Sequence, residues 1–88
     1  MELDEIRMEI NTLDEKIVEL LEKRFNFVLE VGKYKKAKNL QVLDESRENA
    51  VIENCKKHLQ NEMYDDYLGK IYMQIMNTCK EIQKDKIV

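Results

Sequence analysis

Residues 3–38, LDEIRMEINTLDEKIVELLEKRFNFVLEVGKYKKAK, decide the fold of this 88-residue chain. Every third and fourth residue of the stretch gives Leu3, Ile6, Ile10, Leu13, Ile17, Leu20, Arg24, Phe27, Val31 and Tyr34. That spacing is one face of an α-helix, and only Gly32 interrupts the helix-forming composition. Pairs such as Glu19/Lys23 stand at the i,i+4 spacing that supports a helix surface. A single helix of this length measures about 50 Å at its rise per residue. A compact domain of the same chain length has a radius of gyration near ~12 Å. The helix is therefore expected to overhang its own domain, with an apolar seam left bare on a monomer. An intertwined homodimer is the arrangement that covers it.

Outward from this stretch, Asn39 to Leu43 breaks the periodicity, and Asp44 is placed as the N-cap of a second helix running to about Leu59. Glu45 favours its first turn, and Lys56, Lys57 and His58 suit its negative end. After a short connection over Gln60 to Glu62, the series Met63, Tyr64, Tyr67, Leu68, Ile71, Tyr72, Ile75, Met76, Cys79 and Ile82 predicts a third helix ending near Asp85. The fold class is all-α: one long, one short and one medium helix in a helical-bundle homodimer, with residues 1–88 as a single domain. Gly69, inside the third helix, costs about 1 kcal/mol relative to alanine unless it permits a close helix contact.

Composition narrows the function. A net charge of -3 gives no basic field for nucleic acid, so any anion site is local. No apolar run approaches the roughly 20 residues of a membrane span, and the acidic start is unlike a signal or transit peptide. A cytoplasmic protein without nucleic-acid or membrane partners is expected. Cys55 and Cys79 lack metal-ligand or redox-motif spacing and read as free thiols. His58, the sole histidine, reads as surface, which removes multi-histidine metal sites and histidine-based triads.

The placed residues are the arginines. Of fifteen basic residues twelve are lysines, scattered as a solvated surface requires, and three are Arg7, Arg24 and Arg47. Arg24 falls on the apolar seam, where a charge that cannot be neutralised needs an anionic partner. Lys35 lies eleven residues on, about three turns along the same face. Asp44, Arg47 and Glu48 share the first turn of the second helix at i, i+3 and i+4, while Cys79 and Gln83 stand at i and i+4 on the third. All three helices thus contribute to one polar pocket. Arg7 lies seventeen residues before Arg24, about 25 Å along the helix. It reaches such a pocket only from the opposite subunit of an antiparallel dimer.

In order, Ile6-Arg7 through Ile10 with Leu13-Asp14-Glu15-Lys16, then Leu20-Leu21-Glu22-Lys23-Arg24, Val31-Gly32-Lys33-Tyr34-Lys35, Asp44-Glu45-Ser46-Arg47-Glu48 and Cys79-Lys80-Glu81-Ile82-Gln83 resemble the motif segments of the all-helical class of chorismate mutase. The resemblance runs from about Leu3 to Gln83. It implies a domain-swapped dimer with two equivalent sites that converts chorismate to prephenate, on the route to phenylalanine and tyrosine, by a cofactor-free Claisen rearrangement.

The resemblance also implies roles. Arg24 and Arg47 would bind the substrate carboxylates, with Arg7 reaching in from the partner subunit. Lys35 and Gln83 would donate to the ether oxygen, and Glu48 and the Asp44 region would hold the ring hydroxyl. Arg24, Lys35 and Gln83 are the expected catalytic groups. Cys79 departs from the pattern, standing where the family commonly has serine, and a weaker donor there is expected to have a modest effect. Because an amide does not titrate, Gln83 implies activity nearly flat from mildly acid to mildly alkaline pH. Two other functions fit parts of the pattern. Isochorismate pyruvate lyase resembles this fold and uses a similar cationic pocket, and a noncatalytic helical dimerisation or regulatory module would explain the seam but not its arginine. The chain ends soon after Gln83, with no room in it for a dehydratase, dehydrogenase or synthase domain, which leaves open a longer natural protein.

Overall fold

The computed structural model describes residues 1–87 and contains three α-helices and one 3-10 turn, with no strand among the described residues. Helix α1 spans Leu3–Ala37, α2 spans Glu45–Lys56, and α3 spans Asp65–Lys86 behind a 3-10 turn at Glu62–Tyr64. Each α-helix carries acidic residues in its first turn and lysine in its last, the charge order that the helix dipole favours.

The termini follow from local chemistry. Helix α1 stops at Asn39, which takes a left-handed φ of 56°. The Leu40 N–H then donates to the Lys35 carbonyl at 2.8 Å and the Asn39 N–H to that of Lys36 at 3.2 Å, the Schellman closure. Asparagine tolerates this conformation better than most side chains. Asp44 caps α2 as expected, its Oδ1 accepting from the Arg47 N–H at 3.1 Å.

Two boundaries differ from the sequence expectation. Helix α2 ends at Lys56, not Leu59, because the His58 and Leu59 N–H groups turn back to the carbonyls of Cys55 and Lys56. Met63 and Tyr64 belong to the 3-10 turn, not to α3, since the Asn61 side chain accepts from the Met63 N–H and starts that turn. The Glu19/Lys23 pair does not form; both side chains are exposed, where such a pair contributes only about 0.3–0.5 kcal/mol. The ion pair on α1 is Lys33 with Glu30, at 3.4 Å.

Helix α3 is the centre of the packing, touching the C-terminal half of α1 on one side and α2 on the other. The core is small: Gly32, Ile52, Met76, Cys79 and Gln83. Every residue from 1 to 20 is exposed, and the seam stays bare, with Leu13 54% and Phe27 73% accessible. The molecule measures 54 × 25 × 15 Å with a radius of gyration of 15.9 Å, so the long helix does overhang its own bundle. No helix among the described residues is long and apolar enough to cross a membrane.

Gly32 marks the closest approach of α1 and α3. A Cβ there would lie 2.9 Å from Ile87 Cγ1 and 3.1 Å from Gln83 Cγ. The absence of a side chain, not a special backbone angle, is what this position uses. Gly32→Leu is expected to destabilise the fold by about 1–3 kcal/mol through overpacking, read as a lower midpoint in thermal unfolding followed by circular dichroism. An unchanged midpoint would show that the joint yields freely.

Candidate functional site

The joint between the three helices opens into a cleft of about 150 Å³. Seven of the eight residues expected from sequence line it: Arg24 and Lys35 from α1, Asp44 at the α2 cap, Arg47 and Glu48 from α2, and Cys79 and Gln83 from α3. Arg7 does not. It is exposed near the free end of α1, consistent with the 17-residue separation from Arg24.

Arg24 is half-buried and, among the described residues, has no carboxylate partner. Its Nη1 donates to Cys79 Sγ at 3.1 Å, and its guanidinium carbon lies 5.9 Å from the centre of the Tyr72 ring. Sulfur is a weak acceptor and a ring face a diffuse one. The two contacts orient the guanidinium without neutralising it.

Two other donors are fixed by backbone carbonyls. Lys35 Nζ donates to the Val42 carbonyl at 3.0 Å, which ties the end of α1 to the loop before α2. Gln83, buried, donates from Nε2 to the Val28 carbonyl at 2.9 Å. An ammonium has three protons and a carboxamide two, so each keeps at least one for a ligand while its direction is set by the protein. No buried side-chain nitrogen or oxygen among the described residues lacks a partner.

The acidic side is arranged differently from the sequence expectation of one i, i+3, i+4 cluster. The Asp44 carboxylate serves the Arg47 backbone N–H as a cap. Glu48 turns instead to α3, where Lys80 Nζ lies 2.9 Å from its Oε1. Lys80 was counted among the surface lysines; its signal was the set Met76, Cys79, Lys80 and Gln83 at i, i+3, i+4 and i+7, one face of α3. Tyr72, in the sequence one member of the periodic series of α3, also holds Arg24. No pattern in the sequence pairs those two.

Burial pushes the Cys79 thiol above its ordinary value of 9.0; the charge and hydrogen bond of Arg24 oppose that shift without overcoming it. The thiol is therefore protonated at neutral pH and serves as a neutral acceptor. Burial also raises the Tyr72 phenol, reinforced by its hydrogen bond with Cys55 and opposed by Arg24. Both cysteines are free.

The helices and the cleft define an all-helical protein with a preorganised, mainly cationic site. The chain belongs to the chorismate mutase type II family, which matches residues 6–84. A bifunctional chorismate mutase/prephenate dehydratase of Aquifex aeolicus (strain VF5) is 32% identical over 88 residues, covering 94% of this chain and 24% of that protein. The chain thus spans about a quarter of the length of this curated relative.

Since the thiolate is the reactive form, iodoacetamide is expected to leave Cys79 almost unmodified at neutral pH and to label it only in clearly alkaline solution. Mass spectrometry of the peptide containing Cys79 reads this directly. Rapid labelling at neutral pH would mean that Arg24 dominates over burial.

Proposed function

We propose that this chain is a chorismate mutase, converting chorismate to prephenate in the supply of phenylalanine and tyrosine. The observation that carries the reading is the half-buried Arg24 guanidinium, oriented by Cys79 and Tyr72 and free of any carboxylate partner among the described residues. Such a group is set to receive an anion from outside the chain. Arg24 and Arg47 clamp the two carboxylates of the substrate, their planar forks fixing its orientation. The remaining protons of Lys35 and Gln83 meet the ether oxygen, and Glu48 with the Asp44 region holds the ring hydroxyl.

The chemistry is intramolecular. The ether C–O bond breaks while a C–C bond forms to the ring, with no atom gained or lost and no covalent link to the protein. Rate comes from holding the compact, chair-like conformer in which the reacting carbons meet. It comes also from donors fixed where negative charge grows on the ether oxygen, which bind the transition state more tightly than the ground state. Gln83 contributes without titrating. The reading carries with it a cytoplasmic protein acting on a free small molecule, with no cofactor, nucleic acid or membrane involved.

The active unit is an intertwined homodimer with shared sites. The bare seam of α1 supports this, since an exposed apolar stripe of that length calls for a partner helix. The cleft is consistent with it: 150 Å³ is below the roughly 300 Å³ of ordinary ligand pockets, and a wall from a second chain would enclose more of a ligand. In the dimer the partner's α1 supplies that wall and brings its Arg7 to the site.

Purified protein is expected to consume chorismate and form prephenate, and to act far less well on isochorismate. Release of pyruvate from isochorismate as the faster reaction would favour the lyase, and failure to bind either substrate would favour a noncatalytic dimerisation module.

Sharing of sites has its own test. Arg7→Ala and Arg24→Ala chains, each inactive alone, are co-refolded in equal amounts. If Arg7 serves the opposite subunit, half the dimers are mixed and each has one intact site, giving about a quarter of wild-type activity. No recovery would place both arginines in the same subunit's site, or dispense with the dimer.

A further inference from the structure

Lys80 stands beside Cys79 on α3 and three residues before Gln83, and its side chain lines the cleft. Its Nζ lies 2.9 Å from Glu48 Oε1 on α2, with the two side chains 28% and 17% exposed. The other described ion pairs, Glu30 with Lys33 and Glu53 with Lys56, each join residues three apart on one helix and have at least one partner well in solvent. Among the described residues, only Lys80 and Glu48 form an ion pair across two helices, and they do so at the wall of the cleft.

This placement answers a difficulty in the site. Glu48 is an anion facing a cleft read as a receptor for a dianion, and an unpaired carboxylate there repels the ligand. Lys80 offsets that charge. With it the cleft holds four cationic side chains against two carboxylates, an excess of two that matches a dianion; without it the excess falls to one. The contact also occupies Oε1 and so fixes the plane of the carboxylate, leaving Oε2 as an acceptor in a defined direction.

We infer that Lys80 is a positioning residue of this site: its ammonium holds the Glu48 carboxylate in place and compensates its charge, so that Glu48 accepts the hydroxyl of a dianionic substrate without repelling its carboxylates. The inference rests on the chorismate mutase reading. Lys80 acts through Glu48 and makes no contact of its own with the substrate.

A double-mutant cycle tests it, with helix content followed by circular dichroism to show that each variant is folded. Steady-state turnover of chorismate is measured for wild type, Lys80→Met, Lys80→Arg, Glu48→Gln and the double variant Lys80→Met with Glu48→Gln. Lys80→Met is expected to lower kcat/KM about tenfold, equivalent to about 1.4 kcal/mol. Lys80→Arg, which keeps the charge, recovers most of that loss. In the Glu48→Gln background, removal of Lys80 changes kcat/KM by less than about threefold, since the coupled partner is already gone. The inference is overturned if Lys80→Met stays within about threefold of wild type. The same tenfold loss with and without Glu48 also overturns it, since Lys80 would then be a direct ligand of the substrate. If wild type itself does not turn over chorismate, the mutase reading fails and this inference with it; an active wild type with an indifferent Lys80→Met sinks the inference alone.

Discussion

Arg24 carries a permanent positive charge into the joint between α1 and α3 and meets there a sulfur atom and an aromatic face, not a carboxylate. Removing a guanidinium from water without a counter-ion is costly, and neither contact offsets that cost in full. The surrounding structure is arranged to hold the group in this condition. Cys79 is buried and neutral, Tyr72 lies under the guanidinium, and α3, which carries both, is the helix against which α1 and α2 pack. Much of the small core is therefore also the wall of the cleft. Core and cleft share Cys79, Gln83 and Met76, so the chain has little interior that is separate from the cleft wall.

The same economy explains the donors. Lys35 and Gln83 are directed by single hydrogen bonds to the carbonyls of Val42 and Val28, contacts that also tie the loop before α2 to α1 and α3 to α1. Gly32 lets Gln83 approach closely enough to make its bond. Fixed donors of this kind lose little on meeting a developing charge, because their orientation has been set by folding. The bare seam of α1 is the complement of this arrangement: only the C-terminal half of the helix packs on its own bundle, and the apolar face of the rest stays exposed.

Much of this was legible in the sequence, for identifiable reasons. The 3.6-residue period of residues 3–38 gave α1 almost to the residue, and the helix overhang followed from arithmetic on its length. Asp44 announced itself as a cap through its position before an amphipathic run. Arg24 was visible because it broke the apolar period around it. Lys80 shows in the sequence only by sharing a face of α3 with Met76, Cys79 and Gln83, which is no anomaly for a lysine; its meaning depends on Glu48, 32 positions earlier on another helix. Tyr72 escaped likewise, because its use as a platform for Arg24 depends on how α1 crosses α3. The early end of α2 and the 3-10 turn at Glu62–Tyr64 rest on backbone bonds that no side-chain period encodes. Sequence gave the faces of the helices, and packing decided which of them meet.

The central claim is that the uncompensated charge of Arg24 exists to receive a carboxylate of a small dianion. Calorimetric titration of a dicarboxylate mimic of the chair-like transition state into wild type and Arg24→Ala tests it most directly, with circular dichroism establishing that the variant is folded. The account predicts one site per chain in wild type, weakened by added salt, and loss of binding by at least about a hundredfold in the variant, roughly 2.7 kcal/mol. A folded Arg24→Ala protein that binds the mimic as tightly as wild type would contradict it.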